Sequence, residues 1–446
     1  MSDPLLGLTM LGLIVVAIMM GFPTAFTLMG LGMGFDFLAF WDPSHHWFEN
    51  KVFDLMVQRT YGVMTNDTLL SVPLFVFMGY IMERAALVDR MFHSVQLAFR
   101  RVPASLAVTT LLVCAFWGIA SGIVGAVVVL MGVIALRPML NAGYDVRLAS
   151  GAIAAGGTLG ILIPPSVMLI VMGPVINVSV AKLYAAAFGP GFLLAGLYIV
   201  YTLTRSFLNP KLGPPVPKEE RVTSFVQMAR EFVVGMVPLA LLIAATLGTI
   251  LAGVVTPTEA AAMGSTGAIL LSIAYRRLTL GGLKTAVFNT MTTSSMVLFL
   301  AVASNVFGAI FARLGSAGVI TNALTGLPVP PFVTLLLVMA LIFLLGWPFE
   351  WPAIIFVFIP IFYPVIEALK YDMLWFGALV AVNLQTAYLS PPVAMSAYYL
   401  KQVVPQWSLS TIYRGMADFM VIQVIALILV MMFPEISLWF PRWLFE

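Results

Sequence analysis

The residues best placed to do chemistry are two proline pairs and one carboxylate, all inside long apolar runs. Pro164-Pro165 interrupts the apolar run 148–175, and Pro391-Pro392 interrupts the run 373–400. A proline pair removes two backbone donors and stops a helix, so nearby carbonyls are freed to bind a ligand. The half-helix that starts beyond such a break can attract an anion. Glu350 stands alone in a third apolar run, where a carboxylate is costly and is a functional hypothesis by default.

Hydroxyl, amide and glycine residues near these features complete the candidate site. Carbonyl and hydroxyl oxygens suit an alkali cation such as sodium. Glu350 is interpreted as an ion ligand, a proton carrier or a gate, or else as a structural partner for a donor at a turn. The Ser and Thr residues could instead bond only to backbone, and the Gly residues could only permit close helix packing. The candidate sodium- and substrate-binding residues are Ser121, Gly122, Gly157, Thr158, Pro164, Pro165, Ser166, Gly346, Glu350, Asn383, Gln385, Thr386, Ser390, Pro391 and Pro392.

Composition indicates what must position these residues. Hydrophobic residues are 61% of the 446 and charged residues only 9%, whereas a soluble domain carries about 25% charge. This excludes a soluble enzyme, a nucleic-acid binder and a disordered hub. We predict an all-α integral membrane protein with about 10–12 transmembrane helices. One cysteine and three histidines exclude an internal disulfide and do not suggest a metal site other than for sodium.

The chain contains an internal repeat. Tyr144-Asp145 precedes the first proline pair and Tyr371-Asp372 precedes the second at the same spacing, with an offset of 227 residues. Before each Tyr-Asp lies an apolar run too long for one span, either two spans or a re-entrant hairpin. The positive-inside rule assigns the loops richest in Lys and Arg to the cytoplasm. This topology places most of the 22 Lys and Arg residues inside and both termini outside. The two units then have opposite orientations, which is typical of secondary transporters.

The repeat divides the chain into two halves around a proline-rich polar connector. We predict a first half over 1–206, with hairpin 104–140 and broken helix 148–175. A cytoplasmic linker follows over 207–230. The second half covers 231–446, with hairpin 331–366 and broken helix 373–400.

A further motif carries a resemblance. Thr256-Pro257-Thr258-Glu259 has the pattern of a capped helix start. In its context GVVTPTEAAAMG (253–264) it resembles the Gly-x-x-Thr-Pro-Thr-Glu-Ala-Ala signature of the large membrane (M) subunit of TRAP transporters, the tripartite ATP-independent periplasmic systems. Further segments resemble that family: SVPLFVFMGYIMERAAL (71–87), RPMLNAGYD (137–145), GTLGILIPPSVMLIVMG (157–173), GWPFEWPAIIFVFIPIFYP (346–364) and NLQTAYLSPPVAMSAYYLK (383–401).

The resemblance implies a transport subunit with an elevator-type mobile domain that carries two hairpins, in the ion-transporter superfamily. It implies a bacterial inner-membrane location, a separate small four-helix Q subunit and a periplasmic substrate-binding P protein. It also implies import of an organic acid driven by sodium, with no other cofactor, and no P-loop for ATP is present. Two departures are Ser121-Gly122-Ile123-Val124, where many members have Ser-Gly-Ser-Ser, and Ser390, where Thr is common.

Three alternatives remain. A stand-alone sodium-coupled dicarboxylate carrier would have the same repeat but need neither partner. A membrane-embedded enzyme would need clustered His, Asp or Cys at membrane depth, which the sequence does not offer. A purely structural subunit would not explain two matched hairpin-and-break units. The sequence does not indicate which organic acid is carried.

Overall fold

The computed structural model describes residues 3–46, 49, 52–84, 87–99, 102–215, 225–391 and 393–446, and in these ranges all regular structure is helical. The helices are α1 Asp3–Met19, α2 Thr24–Phe40, α3 Val52–Met64, a 3-10 turn Asp67–Leu70, α4 Ser71–Arg84, α5 Leu87–Phe99, α6 Ser105–Ser121, α7 Val124–Asn141, α8 Val146–Leu162, α9 Val167–Val175, α10 Val180–Leu208, α11 Phe225–Ile243, a π segment Ala244–Gly248, α12 Thr249–Leu251, α13 Pro257–Ala274, α14 Leu280–Arg313, α15 Ser316–Thr325, α16 Pro331–Leu345, α17 Trp351–Ala353, a π segment Ile354–Phe358, α18 Ile359–Ala368, α19 Met373–Leu389, α20 Met395–Val403, α21 Leu409–Met432 and α22 Glu435–Phe445.

Many of these helices are apolar enough to lie in a bilayer. Among the described residues six helices can each span a membrane, and the number is eight if each of two bent pairs counts as one span. The bent pairs are α3–α4, bent by 54°, and α8–α9, bent by 45°. Five shorter apolar helices accompany them. The protein is therefore an all-α integral membrane protein, as the composition predicts.

Both over-long apolar runs fold as pairs of helices with a turn between them. In the first, α6 ends at Gly122, whose φ of 63° is left-handed and suits glycine. In the second, α16 ends at Gly346 and the chain turns before α17. Helix α6 has 17 residues and α16 has 15, which correspond to about 25 and 22 Å of helix. Both lengths are below the bilayer core of about 30 Å, whereas the second arms, Val124–Asn141 and Trp351–Ala368, have 18 residues each and are apolar enough to span. The hairpin interpretation of the two runs stays a prediction.

The Tyr-Asp and proline pairs have visible structural roles. The carboxylate of Asp145 caps α8 by accepting from the backbone N–H groups of Arg147 and Leu148. Asp372 caps α19 in the same way. Helix α8 ends before the first proline pair, whose mutual peptide bond is cis, and α9 begins at Val167. Both α8 and α19 are almost wholly buried, so the two breaks lie inside the protein.

The repeat extends from motifs to helix bounds. A shift of 227 residues carries α7 from Val124–Asn141 onto the segment 351–368, and α8 from Val146–Leu162 onto α19. One pair of counterparts differs: α14 runs unbroken for 34 residues, whereas α3 and α4 are separated by a bend. The two halves thus share the same repeated unit, although the π segments and α22 of the second half have no counterpart in the described part of the first.

The connector between the halves packs against the first one. Asp145 donates its backbone N–H to the Leu212 carbonyl at 3.0 Å, and Ala104 donates to the Gly213 carbonyl at 2.9 Å. The predicted linker 207–230 overlaps the ends of α10 and α11, and its central residues 216–224 lie outside the described ranges.

Candidate functional site

A central cavity of about 950 Å³ lies where the two hairpin turns meet. Both turns, both breaks and the long helices α4 and α14 contribute to its wall. The residues used below are Val76, Gly122, Gly125, Val167, Thr293, Val297, Gly346, Trp347, Glu350, Trp351, Tyr388, Val393, Met395 and Tyr399. Because the turns come from different halves of the chain, this cavity is where the two repeats converge.

Glu350 lies at the second turn and faces the cavity. It occupies the position before α17, yet its side chain makes no capping hydrogen bond. Among the described residues, none forms a hydrogen bond or ion pair with its carboxylate. The carboxylate does interact electrostatically with the phenols of Tyr388 and Tyr399. A structural role as partner for a donor at the turn is therefore not what this geometry favours.

The charge of the cavity is one-sided. Its described lining includes Glu350 and no Lys, Arg or His. A carboxylate ligand about 5 Å from Glu350 would be repelled by about 3 kcal/mol at an effective dielectric of 20. A cation bound between the two carboxylates would turn that repulsion into attraction. A cation that offsets the charge of Glu350 would therefore favour the binding of an organic acid in this cavity.

The candidate residues of the first half divide into lining and supporting positions. Gly122 lines the cavity, while the side chain of Ser121 lies outside the described part of the chain. Gly157 packs so closely on Val128 that a larger residue would clash. The Thr158 hydroxyl donates to the Ala155 carbonyl at 2.8 Å.

Around the first break the polar side chain is turned inward. The Ser166 hydroxyl donates to the Ile161 carbonyl at 2.5 Å, and Pro164 and Pro165 are buried beside it. For Thr158 and Ser166 the backbone-bonding interpretation therefore describes the structure, and neither lines the central cavity.

The second half keeps more oxygen atoms free. Asn383 donates from Nδ2 to the Met339 carbonyl at 2.7 Å, but its Oδ1 has no partner in the described residues. The buried Ser390 hydroxyl and the Gln385 Oε1 are also unpartnered there. Thr386 instead donates to the Asn383 carbonyl at 2.6 Å.

The turn and the second break are in direct contact. A side chain added at Gly346 would come within 2.8 Å of the Ala387 Cβ, so glycine is required for this approach. Pro391 is exposed at the break and Pro392 lies outside the described residues. The unpartnered oxygens of Asn383, Gln385 and Ser390 are hard ligands of the kind that suits a sodium ion, whereas the Ser166 hydroxyl at the first break is already bonded to backbone. None of these three residues is in the described lining of the central cavity.

Several cavity residues are not among those that the sequence indicated. Tyr399 packs its ring on Gly125, where an added Cβ would lie 3.0 Å from the ring, and so joins α20 to the first hairpin. Tyr388 and Met395 flank the second break. Thr293 lies on α14 and its hydroxyl is 2.9 Å from the Tyr80 hydroxyl. For Tyr388 and Met395 the available signal was their distance of a few residues from the second proline pair, whereas Thr293 carries no such signal.

The Thr-Pro-Thr-Glu motif lies away from the cavity. Thr256 and Glu259 form a capping box at the start of α13. The Thr258 hydroxyl donates to the Asp67 carbonyl at 2.8 Å, and Ser265 donates to the Leu74 carbonyl at 2.8 Å. The motif therefore fixes α13 against α4 and has a structural role in this protein.

Comparison with known proteins agrees with this architecture. Residues 11–436 match the family described as tripartite ATP-independent periplasmic transporter, DctM component. The chain belongs to this family. It is 29% identical to the sialic acid TRAP transporter large permease protein SiaM of Vibrio cholerae, over 95% of each chain. It is 28% identical to the C4-dicarboxylate large permease protein DctM of Pseudomonas aeruginosa, over 86% of this chain and 89% of that one.

Other relatives show how broad the family is. The ectoine/5-hydroxyectoine large permease protein UehC of Ruegeria pomeroyi is 27% identical over 95% of this chain and 96% of its own. A solved structure, the Alcanivorax borkumensis YdaH transporter, has the same fold with a TM-score of 0.62, at 17% identity and 99% coverage of both chains. The protein is thus a membrane transport component of the inner membrane and not an enzyme.

Proposed function

We propose that this protein imports an organic acid in symport with sodium, as the transport subunit of a tripartite system. The observation that carries the proposal is the central cavity, in which the unpartnered Glu350 is the only charged group of the described lining. An anionic substrate is favoured by a cation there. The proposed ligands are the free oxygens of Asn383 and Ser390, which are not in the described lining but lie on or next to the helix whose Ala387 and Tyr388 line the cavity. The sodium gradient then supplies the driving force, since the sequence contains no P-loop motif for ATP.

Alternating access is proposed to be of the elevator type. The hairpins and broken helices pack mainly on one another, as α6 and α7 do on α8, and α16 on α19. A second group, α1–α4 with α13 and α14, is likewise packed on itself. Because the central cavity lies between the groups, movement of the first along the second would expose it to either side.

We propose two partners: a small membrane Q subunit and a periplasmic binding protein that delivers the organic acid. Two relatives are named large permease proteins. A large subunit presupposes a smaller one, so these names support the proposed Q subunit. Their substrates differ, from sialic acid to C4-dicarboxylates and ectoine. The substrate class proposed for this chain is therefore a small carboxylate and no narrower.

Uptake into proteoliposomes tests the proposal. The chain is reconstituted with its Q subunit, and a binding protein loaded with a labelled organic acid is added outside. Inward sodium, inward proton and no gradient are compared. Uptake that requires both sodium and the binding protein supports the proposal. Sodium-driven uptake without a binding protein would instead identify a stand-alone carrier, and proton-driven uptake that ignores sodium would overturn the coupling ion.

A further inference from the structure

A second cavity of about 350 Å³ lies between α3 and α14 on one side and α9 and the second hairpin on the other. We call it the outer vestibule. Its lining includes Arg59 and Gly62 from α3, Asn66 from the bend that follows, and Ser304 and Asn305 from α14. A volume of this size matches the lower end of small-molecule pockets.

The polar groups of the outer vestibule favour an anion. Arg59 is exposed and, among the described residues, has no hydrogen-bond or ion-pair partner. Ser304, a lining residue, is only 1% exposed, and its buried hydroxyl has no partner in the described residues. Asn305 adds an exposed side-chain amide, and the described lining includes no Asp or Glu. A free guanidinium beside hydroxyl and amide donors is the chemistry that binds a carboxylate.

The outer vestibule and the central cavity are stacked. On α9, Val171 lines the vestibule and Val167 lines the central cavity. On α14, Ala301 and Val297 divide in the same way. Four residues of helix are about 6 Å long, so the two cavities are separated by roughly one helical turn.

The charge pattern places the vestibule on the outer side. Helix α14 starts beside the basic cluster Arg276, Arg277 and Lys284, which the positive-inside rule assigns to the cytoplasm. The central cavity is lined by residues from the middle of α14, and the vestibule is lined by residues from the last third of that helix, up to Ala312. The vestibule is therefore the cavity closer to the periplasm.

We propose that the outer vestibule is a loading site that binds the carboxylate of the incoming organic acid through Arg59 before the acid reaches the central cavity. The role in import rests on the proposed function, whereas the binding of a carboxylate anion does not. Arg59 attracts the anion, and the Asn305 amide and Ser304 hydroxyl fix its position. The described lining of the central cavity has no Lys, Arg or His that could replace Arg59 as partner of the carboxylate. In this proposal the acid therefore moves on from Arg59 only when a sodium ion in the central cavity takes over that role.

Thiol labelling tests the site without transport. The native Cys114 is fully buried, so a Cys114→Ala background carrying Asn305→Cys offers one accessible thiol. Right-side-out vesicles holding the full chain and its Q subunit are treated with membrane-impermeant thiosulfonates, one anionic and one cationic. The anionic reagent is expected to react about five-fold faster or more, because a guanidinium lies nearby. Arg59→Gln should remove that preference, and Lys182→Gln, an outer charge change outside the vestibule, should not.

Succinate then tests the ligand class. Added outside, it should slow labelling at Asn305→Cys in the Arg59 protein and have no effect in Arg59→Gln. Failure of labelling from outside, or a reagent preference that does not depend on Arg59, would overturn the proposal. A preference that depends on Arg59 but is unaffected by succinate would also overturn it, because the guanidinium would then attract anions without binding a carboxylate. The labelling result stands whether or not sodium drives uptake, so the two proposals fail separately.

Discussion

Substitution of Glu350 by Gln is the most informative perturbation, because it removes the one charge that the described cavity lining carries. Gln keeps the size of the side chain and can still donate and accept hydrogen bonds. The change therefore isolates charge from packing. We expect the variant to fold and to require a higher sodium concentration for uptake.

The size of the effect follows from Coulomb's law. A cation about 4 Å from the carboxylate gains about 4 kcal/mol at an effective dielectric of 20 and about 1 kcal/mol in bulk water. Glu350 is exposed to the cavity, so water screens the interaction and the lower end applies. A loss of about 1–1.5 kcal/mol raises the half-saturating sodium concentration about five- to tenfold.

The assay is initial uptake into proteoliposomes at a series of external sodium concentrations. Glu350→Asp keeps the charge and should restore most of the sodium affinity. Glu367→Gln is the matched control, since Glu367 is exposed at the far end of the same hairpin arm. It should leave the sodium dependence unchanged.

Two results would refute the reasoning in different ways. An unchanged sodium dependence in Glu350→Gln, with normal maximal uptake, would remove Glu350 from the ion site. An unchanged sodium dependence together with a lost pH dependence would show that Glu350 carries a proton. In either case the cation of the central cavity would have to be held by Asn383 and Ser390 alone.

Two further predictions concern stability, and the buried Cys114 reports both through its reaction with a thiol-reactive dye on heating. Gly118→Ala should lower the melting temperature, because the added methyl clashes with the Gly160 backbone and costs about 1–3 kcal/mol. Gly196→Ala, with open space around it, should not lower it. Asp36→Asn should cost about 1–3 kcal/mol, because Asp36 is buried and paired with an arginine of α14 at 3.3 Å. Glu435→Gln, in an exposed pair, should change stability by less than about 1 kcal/mol.

The fold was predictable because its signals are local. Proline pairs stop helices wherever they stand, and an Asp before an apolar run caps a helix through its own neighbours. These two signals predicted α8, α19 and their breaks, and the long apolar runs before them became the two hairpins. Helix α3 and the bend after it were not predicted, because Val52–Met64 carries Asp54, Gln58 and Arg59 and is less apolar than the predicted runs.

The site was predictable only in part, because a free oxygen is defined by the contacts that others make. Ser166 directly follows the first proline pair and Ser390 directly precedes the second, so both were predicted as ligands. The Ser166 hydroxyl nevertheless bonds to a carbonyl, whereas the Ser390 hydroxyl has no partner among the described residues. Tyr399 reaches the cavity only because Gly125, more than 270 residues earlier, leaves room for its ring. No spacing rule in one sequence contains these tertiary contacts.

One asymmetry between the halves, the bend between α3 and α4 that α14 lacks, would give the transporter a direction under the proposed loading mechanism. Two identical inverted halves would build equivalent cavities on both sides of the membrane. Helix α14, about 50 Å long, runs straight past both cavities, so Thr293 and Ser304 line one each. Its counterpart bends by 54° before Asp67, and the arm before the bend carries Arg59 to the outer vestibule. In the proposed cycle an anion is therefore attracted by Arg59 on the periplasmic side, and the charge that it meets in the described lining of the central cavity is Glu350, which the proposed sodium ion offsets.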